Sequence, residues 1–384
     1  MKRKICVVVL NRANYGRIKS VLKAIKNHPQ LELQLIVGAS ALLDRFGSVV
    51  DTIKKDGFEI NETIYMIVEG ENPTTMAKST GLAILELSTI FSNLKPDIVI
   101  TIADRFETMA TAVAACYMNI TIAHTQGGEV TGSIDECVRH AVTKLSHIHF
   151  PATKLAKERV IKMGEDPKKV FLTGCPSIDA IANIDLGMDD DFIKRNTKQG
   201  VGSEIDFRKP YFVVLQHPVT TEYGEGYKQV QETLSAIHEL KLQTMWLWPN
   251  VDAGSDDISK CIRGFREVHH PDLIHFRKNF TVEDYAKLIN NCACLIGNSS
   301  SGIREGSFLG VPVVNIGSRQ KGRERGTNVA DVWYDKDEIK NAILKQMKHG
   351  KYPKDTLYGD GHASEKIAEH LVKHKIEIQK KLFY

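Results

Sequence analysis

The feature that most constrains this chain is a rhythm of short apolar runs set between longer amphipathic stretches. The runs ICVVVL (5–10), LQLIVG (33–38), DIVITIA (97–103), ITIAH (120–124), HIHF (147–150) and VFLTG (170–174) are rich in Val and Ile. Runs of this length and composition read as strands buried on both faces. The stretches between them include Ile18 to Ile25, Met76 to Leu94, Glu107 to Tyr117 and Ile134 to Leu145, and they carry a helical period. Repeated strand–helix–strand units imply a parallel sheet covered by helices on both faces. Over 184–209 the rhythm lapses into a polar, charged, Gly-containing segment. It restarts with YFVVLQ (211–216), TMWLW (244–248), LIHF (273–276), CLIGN (294–298) and VPVVNIG (311–317), with helices expected over 226–239, 256–266, 281–290 and 302–309.

The expected fold is therefore α/β: two doubly wound, Rossmann-like domains facing a central cleft. The expected boundaries are 1–183 for a first domain carrying most of the catalytic residues and 184–361 for a second. A last amphipathic helix within 362–384 is expected to pack back on the first domain. Ligands of doubly wound sheets bind outside the carboxyl ends of the strands, so the loops that follow the strands are where chemistry is expected.

Charge and cysteine content narrow the class. Lys plus Arg is 51 and Asp plus Glu is 47, a formal charge of +4 over 384 residues. That excess is too dilute for a nucleic-acid binder but leaves room for a few cations placed on an anionic small molecule. No apolar run approaches the roughly 18 residues of a membrane span. Ile5 to Leu10 follows a basic N-terminus but stops at Asn11 and Arg12, short of the roughly 7–15 apolar residues of a signal core, so it is expected to be a first strand. The seven Cys include no CxxC pair. A reduced, cytoplasmic protein is expected, each Cys a small buried hydrophobe. No HxxxH or HExxH spacing supports a metal at His124 or His140, and no metal is expected.

Seven loops carry candidate chemistry. Arg12 and Arg17 flank Gly16 ahead of a helix, with neither GxGxxG nor GxxxxGK[ST]; they read as phosphate contacts or as a solvated loop. Asp104 and Arg105 end a strongly apolar strand, as a helix cap or as an acid/base pair beside a cation. The densest titratable cluster is His124 to His140. There Gly127 and Gly128 allow close backbone approach. Ser133 and Glu136 have capping-box spacing. Asp135 with Arg139 and Glu136 with His140 stand at i, i+4. Several carboxylates in one place suit proton abstraction and return. In the second half, His217 follows a strand, as a structural residue or as a catalytic candidate facing the cleft, Asn250 lies in a loop suited to a ribose or to helix capping, and Asn298 to Gly302 makes an anion cradle at a helix start. Glu305 is placed to accept from a ribose diol, and the basic loop Gly317 to Gly326 contains Arg319.

The set NRANYGR (11–17), DRFE (104–107), GGEVTGSIDECVRHAVTKLSHIHF (127–150), GCPSID (174–179), PNVDAGSD (249–256) and GNSSSGIREGSFLGVPVVNIGSRQKGR (297–323) resembles the hydrolysing UDP-N-acetylglucosamine 2-epimerases of bacterial sialic acid synthesis. The resemblance covers nearly the whole chain. It implies a fold like that of the two-domain (GT-B) glycosyltransferases, a UDP-sugar substrate, no cofactor or metal, and a homo-oligomer, dimer or tetramer. It also implies conversion of UDP-N-acetylglucosamine and water to N-acetylmannosamine and UDP through 2-acetamidoglucal. By the same resemblance Arg12, His217, Ser299, Ser300 and Arg319 fall at diphosphate positions. Arg105 and Asn250 fall at further nucleotide positions, Glu305 at the ribose, Lys278 to Phe280 at uracil, and Asp104 and Asp135 at catalytic carboxylates.

Two departures matter. Gln126 stands where relatives carry an ionisable residue, and an amide cannot relay a proton by ionising. More acid/base work is then expected of Glu129 or Glu136. Gly16 replaces a Ser, leaving Arg17 as the substitute phosphate contact. Alternatives are a UDP-N,N′-diacetylbacillosamine 2-epimerase (hydrolysing), a non-hydrolysing epimerase, a glycosyltransferase and a non-catalytic nucleotide-sugar sensor.

Overall fold

The computed structural model describes residues 2–249 and 252–383. The first half builds a sheet from β1 (Arg3–Val9), β2 (Leu31–Gly38), β3 (Glu62–Ile64), β4 (Ile98–Ile102), β5 (Thr121–Thr125) and β6 (Ile148–Phe150), in the order β3-β2-β1-β4-β5-β6. The second half builds another from β7 (Val201–Gly202), β8 (Phe212–Leu215), β9 (Thr244–Leu247), β10 (Ile274–Arg277), β11 (Cys294–Gly297), β12 (Val313–Ile316) and β13 (Val329–Val332), ordered β13-β12-β11-β8-β9-β10-β7. All pairs are parallel except the short β7 edge, which runs antiparallel to β10. Apart from β7 the two sheets share one topology. The strand order reverses between β1 and β4 and between β8 and β11, and each reversal opens a crevice at the strand ends.

The alternation of side chains along a strand explains why the apolar runs are continuous. Ile5, Val7 and Val9 face Tyr15, Ile18, Leu22 and Ile25 of helix Arg12–Asn27. Cys6, Val8 and Leu10 face the opposite layer, with Ala83 and Leu87 of helix Pro73–Leu94 and Ala110 and Ala114 of helix Phe106–Tyr117. Full burial of each Val, Ile or Leu side chain contributes about 1.5–3 kcal/mol. Helix Ala363–Lys373 lays Ile367, Ala368 and Leu371 into the first of these layers, so the chain returns to its first half at the end.

Several expectations are corrected. Residues 170–174 form no strand but a single bridge, from Val170 to His149. The segment 184–209 contains helix Asp190–Thr197 as well as β7. The expected helix 302–309 is two short helices, Ser300–Ile303 and Glu305–Leu309, divided at Arg304, where φ is −95° and ψ −71°. The last helix stops at Lys373, and 374–383 continues without regular structure. Strands β3 and β13 and helix Lys336–His349 went unread: β3 has three residues, β13 is half-exposed, and the helix buries only Ile339, Ile343 and Gln346. All seven Cys are free; five are buried, but Cys116 is half-buried and Cys137 exposed, against expectation. Among the described residues no helix is long and apolar enough to cross a membrane.

Candidate active site

The loops after β1, β4 and β5 converge with those after β8, β11 and β12. Asn11 caps helix Arg12–Asn27, its side chain accepting from Asn14 N at 2.9 Å. That fixes the first turn, from which Arg12 reaches the Lys278 carbonyl at 2.6 Å in the other half. Arg17 bridges the halves too, with Nη2 donating to Ser300 Oγ at 2.9 Å and Nη1 3.6 Å from Asp104.

The exits of β4 and β5 are both tightly bent. Ala103 and Gln126 adopt left-handed backbone, φ 58° and 62°, which costs of order 1 kcal/mol or more for a residue with a side chain. The bend after Ala103 presents Asp104, which is buried and accepts from Arg139. Arg105 meets Glu107 at 3.2 Å and Asp252 of the second half at 2.8 Å. Gln126 is fully buried, and neither amide atom has a hydrogen-bond partner among the described residues. At Gly128 (φ 79°) a Cβ would strike the Ala156 carbonyl, so a larger residue would displace the chain that leads to Glu129.

Asp135 opens helix Asp135–Leu145 and lies 3.8 Å from Arg319. The expected Ser133–Glu136 capping box does not form. Glu136 instead accepts from the Thr131 backbone N–H at 2.6 Å and stands 3.5 Å from His140, while Ser133 Oγ has no partner among the described residues. Arg139 turns from Asp135 towards Asp104 and also donates to the Glu129 carbonyl at 2.7 Å.

In the second half Asn298 binds both backbone groups of His217, accepting at 2.7 Å and donating at 2.8 Å. This ties the β8 and β11 loops together at their switch point. The close approach of Gly297 to the Leu215 carbonyl leaves no space for a Cβ. Ser299 caps the short helix after it, and Arg319 and Gln320 both donate to the Asn298 carbonyl.

Two adjoining cavities result. One is bordered by Arg17, Asp104, Arg105, Asp135, His217, Ser299, Ser300 and Arg319. The other is bordered by Arg12, Arg17, His217, Phe280, Ser299, Ser300 and Glu305, with apolar walls from Leu215, Leu247 and Ile289. Arg17, His217, Ser299 and Ser300 belong to both. Neither Glu129 nor Glu136 is among the residues bordering these cavities, and Asn250 lies outside the described residues. Sequence reasoning did not single out Arg304 or Arg323: Arg323 borders the cavity of the two aspartates, and Arg304 stands behind it, donating to Ser300 Oγ at 3.2 Å. Arg323 carried only the signal of a basic loop, and Arg304 carried none.

The two aspartates are tuned in opposite directions. Burial alone would raise the Asp104 carboxyl, but Arg139, Arg17 and Arg323 outweigh it and hold it well below the usual carboxylate range. Asp135 is raised, by burial first and then by the negative charge of Asp104. Burial, reinforced by Arg319, Arg12, Arg105 and Arg17, pushes His217 well below the usual imidazole range, so it stays neutral among cations. The arrangement offers a cationic cradle, a fixed anion and a proton-accepting carboxylate around one space.

Comparison with known proteins follows the same lines. A family model described as UDP-N-acetylglucosamine 2-epimerase matches residues 23–372. A UDP-N,N′-diacetylbacillosamine 2-epimerase (hydrolyzing) of Legionella pneumophila is 35% identical over 95% of this chain and 94% of its own. A polysialic acid biosynthesis protein of Escherichia coli is 34% identical over 89% of this chain and 85% of its own. Among solved structures, the UDP-GlcNAc 2-epimerase of Neisseria meningitidis bound to UDP-GlcNAc superposes with a TM-score of 0.80 at 18% identity, covering 97% of this chain and all (100%) of that one.

Proposed function

The chain belongs to the UDP-N-acetylglucosamine 2-epimerase family, and from that premise we propose that it is a hydrolysing 2-epimerase of UDP-N-acetylglucosamine, yielding N-acetylmannosamine and UDP on a route to sialic acid. The observation that carries the reading is the pairing of two oppositely tuned aspartates, Asp104 and Asp135, with Arg17, Arg319, Ser299 and Ser300 around one cavity. The diphosphate lies against Arg12, Arg17, His217, Ser299, Ser300 and Arg319. Uracil enters the apolar cavity at Phe280, and Glu305, whose Oε2 has no partner among the described residues, accepts from the ribose.

In this mechanism Asp135 takes the proton from sugar C2. The electron pair forms the C1–C2 double bond as the C1–O bond breaks, and that bonding pair leaves on the β-phosphate oxygen of UDP. Raised basicity suits Asp135 to the abstraction. Asp104, held ionised, keeps Arg17, Arg139 and Arg323 oriented. The cations stabilise charge as it develops on the departing diphosphate. Water then adds across the double bond, OH to C1 and H to C2 on the opposite face.

A second reading is favoured by the names of two relatives, 35% and 31% identical, both diacetylbacillosamine 2-epimerases. The substrate would then be UDP-N,N′-diacetylbacillosamine, with the same C2 chemistry. Incubation with each nucleotide sugar in D2O, followed by proton NMR, tests both. Free 2-epimer with deuterium at C2 plus UDP is the expected outcome, and the faster substrate decides between the readings. A UDP-linked epimer as the product would overturn the hydrolysing assignment.

A further inference from the structure

Two guanidiniums of the second half cross into the first and end on a single carboxylate oxygen. Arg304 Nη2 lies 2.7 Å and Arg323 Nε 3.4 Å from Glu129 Oε2. All three residues are buried, at 1%, 4% and 2% exposure. The same cations reach the site from there. Arg304 Nη1 donates to Ser300 Oγ at 3.2 Å, and Arg323 Nη2 lies 3.7 Å from Asp104. The first half holds its side of the contact rigid, because Arg139 donates to both the Glu129 carbonyl and the Asp104 carboxylate.

We propose that Glu129 is a positioning residue that locks the two halves of the molecule together, clamping Arg304 and Arg323 so that they stand against Ser300 and Asp104, rather than a group that relays protons. Three physical points support this. Glu129 does not border the space that holds Asp104 and Asp135. Its ionised form is favoured: burial would raise its carboxyl, but Arg304, Arg323 and Arg139 outweigh that and lower it. Finally, desolvated guanidiniums need a counter-charge; without Glu129, Arg304 would be stranded and Arg323 left with Asp104 at 3.7 Å whenever the halves come together, and separation would be favoured because it rehydrates Arg304. This role rests on the reading of the cleft as a nucleotide-sugar site, with the lock acting on affinity and the aspartates on chemistry.

The test compares wild type with Glu129→Gln and with the double variant Glu129→Met/Arg304→Met. The double variant removes that buried ion pair as a unit and keeps the test available if Glu129→Gln does not fold. Calorimetry with UDP, steady-state kinetics across pH and small-angle scattering without ligand are measured on each. Glu129→Gln is expected to bind UDP at least tenfold more weakly, with KM raised in proportion; the double variant, which loses the clamp but leaves no stranded Arg304, is expected to bind more weakly than wild type and less weakly than Glu129→Gln. Both variants should have a larger radius of gyration than wild type, and at saturation should keep kcat within about threefold with both limbs of its pH profile. Unchanged UDP affinity and size overturn the lock. So does a kcat that falls with the loss of a pH limb while UDP affinity holds, since that is the signature of a proton relay. Failure of the wild type to bind UDP or turn over either sugar nucleotide would instead overturn the proposed function, and the ligand-free scattering comparison would still decide whether Glu129 holds the halves together.

Discussion

Arg139 donates to the carboxylate of Asp104 from a helix whose first residue is Asp135. The two aspartates are thereby linked through one guanidinium: the cation at i+4 on the Asp135 helix is committed to the other carboxylate. Asp104 is left ionised, and Asp135 is left with Arg319 at 3.8 Å as its neighbouring cation of the second half.

Replacing Arg139 with Met removes a fully buried partner and leaves Asp104 with Arg17 and Arg323 at 3.6 and 3.7 Å. Breaking a buried pair from one side costs about 3–5 kcal/mol. Urea unfolding should show a loss of that order for Arg139→Met. Arg139→Lys should recover only part of it, because an ammonium cannot span Asp104 and the Glu129 carbonyl together. A loss under about 1 kcal/mol in Arg139→Met would contradict the arrangement.

Arg319 lowers the Asp135 carboxyl, opposing burial and Asp104, which raise it. Arg319→Ala should therefore raise it further. A carboxylate base is active only when ionised, so the acid limb of kcat should move to higher pH in Arg319→Ala, and UDP affinity should fall about tenfold or more. Asp135→Asn should lose at least about a hundredfold in kcat with UDP affinity nearly unchanged. The pH profiles and UDP titrations of the two variants check both expectations; an acid limb that stays in place in Arg319→Ala would remove Asp135 from the role of base.

Much of this site is legible in the sequence because it sits at strand ends, and strand ends can be read from apolar runs. The runs 97–103 and 294–298 put Asp104, Ser299 and Ser300 directly after strands; that both strands flank a reversal of strand order is seen only in the fold. What could not be read is which charge pairs with which. Helical spacing paired Arg139 with Asp135, yet Asp104, from another strand, captures it. Arg304 and Arg323 look like two more cations among 51 Lys and Arg, and their purpose depends on a carboxylate about 180 residues earlier in the chain. Strand β3 and helix Lys336–His349 escaped for a plainer reason: tertiary contact selects them, with too few apolar residues to announce them.

Gly132 sets how closely the halves approach. Its N–H donates to the Arg319 carbonyl at 3.1 Å, and a Cβ at this position would collide with the Ser318 carbonyl. A backbone carbonyl cannot swing aside as a side chain can, so Gly132→Ala has to push the 317–323 loop away. The cost, about 1–3 kcal/mol, falls on the joined arrangement alone. UDP affinity should drop roughly five- to a hundredfold by calorimetry, while the thermal midpoint of the ligand-free protein changes little. Wild-type affinity in Gly132→Ala would show that this contact does not shape the site.

His124 makes stability depend on pH below neutrality. Its ring is fully buried on β5, with Nε2 donating to the Ala103 carbonyl at 2.8 Å and Nδ1 3.3 Å from Thr143 Oγ1. Burial lowers it from 6.5 to about 3, with His149 and Arg139 adding to the effect and the Ala103 contact and Asp104 opposing it. The folded chain therefore keeps a neutral imidazole where the unfolded chain takes up a proton. The contribution to stability is fully present above pH 6.5 and is lost as pH falls from there towards about 3. One proton corresponds to about 1.4 kcal/mol per pH unit, or on the order of 2 kcal/mol by pH 5. His149, lowered chiefly by burial against the pull of Glu165, acts in the same direction. His124→Gln keeps an amide able to meet the Ala103 carbonyl but takes up no proton. Its unfolding free energy should therefore be lower than wild type at pH 8, where the packing loss dominates, yet fall less steeply between pH 6.5 and 5. Equal slopes in denaturant titrations of the two proteins would show that His124 is not the group the acid protonates.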